Sequence, residues 1–172
     1  MHLSALSFKV LLIACLFWHG LIAGENLVLQ TAPPSDFSLK AEVASVVPFI
    51  QDKILLLQRL PTHSQANLWC APGGKMKPGE SPSIAATREL KEETGIEVHP
   101  SSLIYLGKFY VRYPNGDFIF HLFLTQIGNP INIAICREEH QAYRLYTVGE
   151  ISSLPLTPGL DECIELALRN NR

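Results

Sequence analysis

The feature that most constrains this chain is a group of three glutamates, Glu89, Glu92 and Glu93, within two turns of one predicted helix. At 3.6 residues per turn, their side chains cover an arc of roughly 100° on one helix face. Carboxylates held this close repel one another, so the group does not stabilise a helix by itself. Oxygen ligands on a helix suit Mg²⁺ or Mn²⁺. The spacing therefore predicts a divalent metal site on a helix.

The residues around the glutamates give this helix a start, an end and a buried side. Ser81 is a typical N-terminal capping residue, and the proline after it fits the first turn. Gly95 is typical of a helix C-terminus. Ala86, Leu90 and Thr94 recur every four residues and form the predicted buried stripe, with the glutamates on an adjacent face. The helix is thus predicted to be a stiff support for metal ligands.

The same stretch resembles the signature of the Nudix hydrolases. The fixed positions of that signature are filled by Gly74, Glu80, Arg88, Glu89, Leu90, Glu92, Glu93, Gly95 and Ile96. So many constrained positions make this signal far more specific than a single glycine-rich loop, and a solvated acidic helix face is the simpler alternative. The resemblance implies an α/β fold, a Nudix-type α/β/α sandwich with a mixed central sheet.

The resemblance also implies roles for individual residues. Metal ligands are implied at the carbonyl of Gly74 and the carboxylates of Glu89, Glu92 and Glu93. Either Glu89 or Glu93 is in addition a candidate base. Arg88 precedes Glu92 by four residues, a spacing at which the two side chains pair and offset negative charge. Glu80 is implied as a hydrogen-bonding support outside the ligand set.

Four further residues are candidates, two for binding a substrate phosphate and two for the base. Lys75 follows Gly74 and is a candidate for binding a phosphate, as is Arg59, whose alternative is simple exposure. Some family members take a glutamate from a late loop as base. Glu138 and Glu139 lie in such a segment, the spacing does not choose between them, and a solvated loop is the alternative. Glu139 is the one that we select as a catalytic candidate.

The function implied by the resemblance is metal-dependent hydrolysis. The substrate would be a nucleoside diphosphate linked to another group, of the nucleoside triphosphate, ADP-ribose or dinucleoside polyphosphate class. Water would attack phosphorus and break the pyrophosphate bond. The alternative is a non-catalytic Nudix-fold module that binds a nucleotide or a protein. An isomerase acting on isoprenyl diphosphate is a third reading, which rests on Cys70 alone.

Size and charge limit the other possibilities. The chain has 172 residues, enough for one well-packed domain. Its formal net charge of −2 provides no basic field, so a nucleic acid polymer is not an expected partner and a small nucleotide is. The sequence does not predict an oligomeric state.

The N-terminal residues 1–24 differ from the rest of the chain. Lys9 precedes an apolar run that is interrupted only by His19 and Gly20. The run is short for a membrane span and has the length of a signal-peptide core. We therefore predict a signal peptide or an N-terminal anchor, with an exported or membrane-anchored product. A misassigned start site, with a cytoplasmic enzyme, is the alternative.

The remaining residues divide into a linker and a domain. Residues 25–40 contain two adjacent prolines and predict a stiff linker, and residues 41–172 are the predicted Nudix hydrolase domain. Strands are predicted at 41–50, 54–60, 103–112, 118–126 and 142–147, with a closing helix at 158–169. His121 is predicted to be structural. A nucleobase would stack on Trp69 or Tyr113, although a core position is the simpler prediction for Trp69.

Overall fold

The computed structural model describes residues 29–113, 116–128 and 132–171. The predicted leader at 1–24 and the first part of the predicted linker lie outside these residues. Within them, no helix is long and apolar enough to cross a membrane.

Seven strands of the described residues form one mixed sheet. They are β1 (Leu39–Ile50), β2 (Lys53–Arg59), β3 (Trp69–Cys70), β4 (Gly73–Lys75), β5 (Ile104–Tyr113), β6 (Gly116–Ile127) and β7 (His140–Tyr146). The order across the sheet is β3-β2-β1-β6-β5, with β4 also paired to β1 and β7 to β2. β1 and β6 are parallel, and the other pairs are antiparallel. The predicted mixed sheet is confirmed.

Helices cover both faces of this sheet. They are α1 (Pro82–Thr94), α2 (Val148–Ile151) and α3 (Leu160–Asn170), and a 3-10 turn spans Pro100–Ser102. One hydrophobic core lies between the sheet and α1 and includes Val46 and Leu90. The other lies between the sheet and α3 and includes Val47 and Ile164. The chain is therefore an α/β/α sandwich, as predicted.

The sheet is buried on both sides because its central strands are apolar on both faces. In β2, residues 54–57 have no exposed surface. In β1, Val46 faces the α1 core and Val47 the α3 core, since successive strand residues point to opposite faces. An apolar run such as 54–57 is typical of a strand that is covered on both sides.

Helix α1 begins and ends as the sequence predicts. The Ser81 hydroxyl accepts a hydrogen bond from the Ile84 amide at 3.4 Å. Gly95 adopts the left-handed conformation at φ 74°, and its amide donates to the Lys91 carbonyl. The predicted stripe of Ala86, Leu90 and Thr94 is buried, and Glu93 is buried beside it.

The last residues of the predicted linker belong to the domain in this structure. β1 begins at Leu39, two residues before the predicted strand. Asp36 pairs with Arg112 of β5, and the Gln30 carbonyl accepts a hydrogen bond from the Tyr110 amide. Residues 29–38 thus lie against the edge of the sheet.

Candidate active site

Gly74 lies directly under the carboxyl group of Glu89. Strand β4 pairs with β1, which places Gly74 opposite Ala44, and α1 brings Glu89 over β4. A Cβ atom on Gly74 would lie only 2.6 Å from the Glu89 carboxyl carbon. The absence of a side chain is therefore what lets the Glu89 carboxylate reach the backbone of β4.

Glu93 is the buried carboxylate of the group, with only 4% of its surface exposed. Its Oε2 accepts a hydrogen bond from the Gly73 amide at 3.0 Å. Burial raises the pKa of Glu93 to about 8, and the negative charges of Glu139 and Glu89 act in the same direction. The folded chain thus holds a carboxyl group that resists ionisation.

Glu89 is more exposed than Glu93, and Glu92 is more exposed than Glu89. Burial raises the pKa of Glu89 above its ordinary value, against the lowering effect of Arg88. The Glu92 side chain is 52% exposed and contacts Arg88 at 2.9 Å and Lys77 at 3.4 Å. The arc predicted for the three glutamates thus runs from the interior to the solvent. Lys77, which the sequence did not single out, is the lysine that contacts the cluster.

Arg88 holds several of these groups together. Its guanidinium donates two hydrogen bonds to Glu80, at 2.8 and 2.9 Å, and one to Glu89 at 2.6 Å. A further bond reaches the Lys75 carbonyl at 3.1 Å. These hydrogen bonds from Arg88 lower the pKa of Glu80 to about 2. The predicted Arg88–Glu92 pair forms, and Glu80 is the main partner of the arginine.

Glu139 stands close enough to act on the cluster electrostatically. Its charge raises the pKa values of both Glu89 and Glu93. Glu138, its neighbour, is not among the groups that shift these values. Glu139 lies in the exposed turn before β7, and its backbone carbonyl accepts a hydrogen bond from the Leu60 amide at 3.1 Å. The structure therefore separates two glutamates that the sequence could not separate.

The two predicted phosphate contacts occupy different positions. Arg59, at the end of β2, donates from Nε to the Ser64 carbonyl at 2.8 Å, and its charge lowers the pKa of Glu93. Arg59 is therefore half-buried beside the acidic group rather than simply exposed. Lys75 is exposed, and its backbone carbonyl contacts Arg88.

A cavity of about 190 Å³ lies on the α3 side of the sheet next to this group. Its apolar lining includes Val43, Val111, Phe118, Phe120, Leu122 and Leu160. Gly73 and Arg59 line it as well, so one residue, Gly73, touches both the cavity and Glu93. None of these six lining residues was predicted from the sequence as part of a site. The period-two spacing of Phe118, Phe120 and Leu122 is the signal that assigns them to one face.

Trp69, His121 and Cys70 are buried, as expected of residues with a structural role. Trp69 packs edge-on against Tyr146 in the core, at 5.1 Å between ring centroids. His121 is buried, as predicted, and contacts Glu42 at 2.9 Å. Burial raises the pKa of the Cys70 thiol to about 12, which keeps it protonated and argues against a reactive cysteine. Tyr113 ends β5, next to residues that are not described.

The donors of the glutamate group suit a hard divalent cation. Glu89 and Glu93 are carboxylates with raised pKa values, and a nearby cation would offset both burial and mutual repulsion. As arranged in the described part of the chain, no three acidic, histidine or cysteine side chains converge on one point. The Arg88 guanidinium instead links Glu89 and Glu92.

A sequence model of the NUDIX domain matches residues 39–167, well over half of the chain. The chain belongs to the Nudix family. The matched range begins with β1 and ends within α3, so it contains the whole glutamate group. The Nudix domain of Shewanella oneidensis NrtR, solved with ADP ribose, has the same fold. It superposes with a TM-score of 0.68 at 21% identity, over 82% of this chain and 94% of that one.

Two curated Nudix relatives match this chain over most of their own length. The CTP pyrophosphohydrolase of Escherichia coli is 34% identical over 133 residues, 76% of this chain and 95% of that protein. The uncharacterized Nudix hydrolase YvcI of Bacillus subtilis is 29% identical over 130 residues, 74% of this chain and 78% of that protein. With this similarity and a complete Nudix signature, the chain is a Nudix-type pyrophosphohydrolase.

Proposed function

We propose that this Nudix hydrolase uses Mg²⁺ or Mn²⁺ to cleave the pyrophosphate bond of a nucleoside diphosphate linked to another group. The substrate class is a nucleoside triphosphate, ADP-ribose or a dinucleoside polyphosphate. The observation that supports this most directly is the position of Glu93. The Glu93 carboxylate is buried and has a raised pKa. It accepts a hydrogen bond from the amide of Gly73, and Gly73 also lines the cavity that contains the aromatic side chains.

The residues that would hold the cation are Glu89, Glu92, Glu93 and the carbonyl of Gly74. When bound, a divalent cation neutralises phosphate oxygens and lowers the pKa of an attacking water. Arg88 positions these ligands, because its guanidinium is fixed on Glu80 and contacts Glu89 and Glu92. Glu80 thereby has a supporting role without contact to the substrate.

Proton transfer would fall to a carboxylate near the attacking water. Glu89, Glu93 and Glu139 are the candidates, and Glu139 differs from the other two because it approaches from the turn before β7. Arg59 would contact a substrate phosphate, since it lines the cavity beside Gly73. Lys75 is an exposed second cation that could reach the same phosphate chain.

The cavity favours a substrate with a nucleobase. Phe118 and Phe120 offer faces and edges for contact with a planar ring, and the surrounding side chains are apolar. A triphosphate substrate agrees with the CTP pyrophosphohydrolase among the relatives, and ADP-ribose agrees with the ligand of the NrtR domain. Both ligands combine a base with a pyrophosphate, which is what an apolar cavity beside a carboxylate group can accommodate.

The decisive experiment is product analysis by anion-exchange chromatography. The protein is incubated with the four ribonucleoside triphosphates, ADP-ribose and diadenosine tetraphosphate, with Mg²⁺, Mn²⁺ or a chelator. We expect cation-dependent cleavage of at least one compound. Glu93→Gln should abolish it, and Glu97→Gln is the matched control, because Glu97 is exposed and its ion pair within the described residues is with Lys91. Absence of turnover by a folded protein would favour the nucleotide- or protein-binding module.

We also propose that the chain is exported or anchored through residues 1–24. The apolar run after Lys9 supports this proposal. Expression of the full chain, followed by fractionation and N-terminal sequencing, would test it. A soluble cytoplasmic product that starts downstream of residue 24 would contradict it and support a misassigned start site.

A further inference from the structure

Residues 29–38 precede the range that the NUDIX model matches, yet they are attached to the domain at several points. We call these ten residues the strap. Its attachments involve β5, β6 and α3, which surround the cavity beside the glutamate group. A segment outside the family domain therefore adjoins the part of the domain where the substrate is proposed to bind.

The first attachment is at Tyr110 of β5. The Tyr110 amide donates a hydrogen bond to the Gln30 carbonyl at 2.8 Å, which makes Gln30 an antiparallel bridge partner of β5. Further along the strap, the Phe37 ring packs edge-on against the Tyr110 ring, at 5.2 Å between centroids. Tyr110 therefore contacts the strap near both of its ends, through its backbone amide at Gln30 and through its ring at Phe37.

The second attachment is a charge network at Arg112. Its guanidinium donates to Asp36 at 3.0 and 3.2 Å and to Asp117 at 3.0 and 3.1 Å. Asp117 also accepts a hydrogen bond from the Ser38 amide at 2.8 Å. Paired two-point contacts of this kind fix orientation as well as position. The strap is therefore held in one register on the β5–β6 edge.

The third attachment places Leu29 in the wall of the cavity. Its amide donates to the Glu162 carboxylate of α3 at 3.1 Å. The Leu29 side chain packs against the core on the α3 side and lines the cavity with Val111, Phe118 and Leu160. The family domain supplies the rest of this wall, and the strap completes it.

We propose that the strap is part of the substrate site and that Leu29 is a specificity-determining residue that contacts the nucleobase. This inference rests on the proposed function, since it assigns the cavity to the base of the same substrate. The phosphates would extend toward Arg59 and Gly73, the polar end of the cavity. Leu29 is one of the apolar side chains of the lining, and against such side chains shape rather than hydrogen bonding discriminates between bases.

Nucleotide binding by the full chain tests this assignment. AMP, CMP, GMP and UMP are titrated in a calorimeter in the presence of a chelator, so that catalysis does not enter the measurement. For the nucleotide that the wild type binds best, Leu29→Ala should weaken affinity by about tenfold, because it removes apolar contact from the wall of the cavity. Thr31→Ala, an exposed strap residue outside the cavity, should leave affinity unchanged.

A conservative variant separates contact from folding. Leu29→Met keeps the side-chain volume and should restore most of the affinity that Leu29→Ala loses. Thermal unfolding should show that all three variants fold. Equal affinity of Leu29→Ala and the wild type would overturn the proposal, as would failure of an actively hydrolysing wild type to bind any of the four monophosphates. Binding that depends on Leu29 without hydrolysis of any compound would instead overturn the proposed function and leave this assignment standing.

Discussion

At the scale of single residues, the properties of the site depend on how differently the folded chain buries chemically similar side chains. Glu89, Glu92 and Glu93 share one helix, yet their exposure ranges from a buried carboxyl to one that is half in solvent. Desolvation penalises the charged form, so burial raises the pKa values of Glu89 and Glu93. This inequality makes the metal-free protein sensitive to pH at Glu93.

The metal-free protein should lose stability as the pH rises between about 4.5 and about 8, the ordinary and the raised pKa of Glu93. Folded Glu93 keeps a proton that unfolded Glu93 releases, so the free energy of unfolding falls in this window. The slope from one such group is at most about 1.4 kcal/mol per pH unit. Urea unfolding with a chelator should show this loss in the wild type and a smaller one in Glu93→Gln. Identical pH profiles would contradict the burial argument.

Gly74→Ala should reduce kcat by about 100-fold, because its Cβ would displace the Glu89 carboxylate from the backbone of β4. Steady-state kinetics and thermal unfolding together measure this. Gly149→Ala is the matched control, since nothing lies within 4 Å of a Cβ there, and it should leave kcat unchanged. Full activity of Gly74→Ala would show that Glu89 tolerates displacement.

Glu139→Gln should lower kcat by roughly 10² to 10⁴-fold if Glu139 is the base, with the KM little changed. Its neighbour provides the control: Glu138→Gln should behave as the wild type, because Glu139 and not Glu138 is among the main charges that raise the pKa values of Glu89 and Glu93. A large effect of Glu138→Gln would assign the base to Glu138 instead, and no effect of either variant would assign it to Glu89 or Glu93.

At the scale of secondary-structure elements, α1 and the loop before it form one unit that Arg88 holds together. The guanidinium joins Glu80 of the loop to two helix carboxylates and to the carbonyl of Lys75 in β4. A generic helix salt bridge would involve only the Glu92 partner. The wider network explains how a short strand, a loop and a helix keep a common geometry.

Arg88→Lys should therefore behave as a non-conservative change. A lysine cannot reproduce the paired hydrogen bonds to Glu80, so we expect kcat/KM to fall about 10 to 100-fold and the free energy of unfolding to fall by about 1–3 kcal/mol. Arg169→Lys is the control, because Arg169 is exposed and its ion pair, as far as the structure describes the chain, is with Glu165 four residues away. Activity assays and urea unfolding distinguish the two, and equal behaviour would argue against the network.

At the scale of the whole molecule, one sheet is shared by two hydrophobic cores. Val46 and Val47 are adjacent in β1 and belong to different cores. Neither core can be disrupted without exposing a face of the same strands. The two faces should therefore unfold together, as expected for a single domain of this size.

Leu90→Ala tests this coupling. Leu90 is fully buried on the α1 side, so the change should cost about 2–5 kcal/mol. Calorimetry should still show one transition, shifted to lower temperature. Ile84→Ala, on the exposed side of the same helix, should change stability by less than about 0.5 kcal/mol. Two separate transitions in Leu90→Ala would mean that the cores unfold independently.

Much of the fold and of the site was readable from sequence because the signals are local. The cap at Ser81, the stop at Gly95 and the apolar run of β2 depend on neighbours a few residues away, and each was predicted correctly. The glutamate group itself follows from helix periodicity. Local spacing could not show that Glu80, not Glu92, is the main partner of Arg88, because that contact depends on how the preceding loop folds back.

The sequence by itself determined the family, the sandwich of helices and sheet, and the carboxylates that define the candidate site. Only the tertiary structure decided which carboxylate is buried, which late glutamate raises the pKa values of the group, and that Leu29 lines a cavity with residues of β5, β6 and α3. The physical reason is that burial and long-range charge depend on chain segments far apart in sequence. The periodicity of a helix or strand determines the face on which a side chain lies, whereas tertiary packing determines which other residues that face contacts.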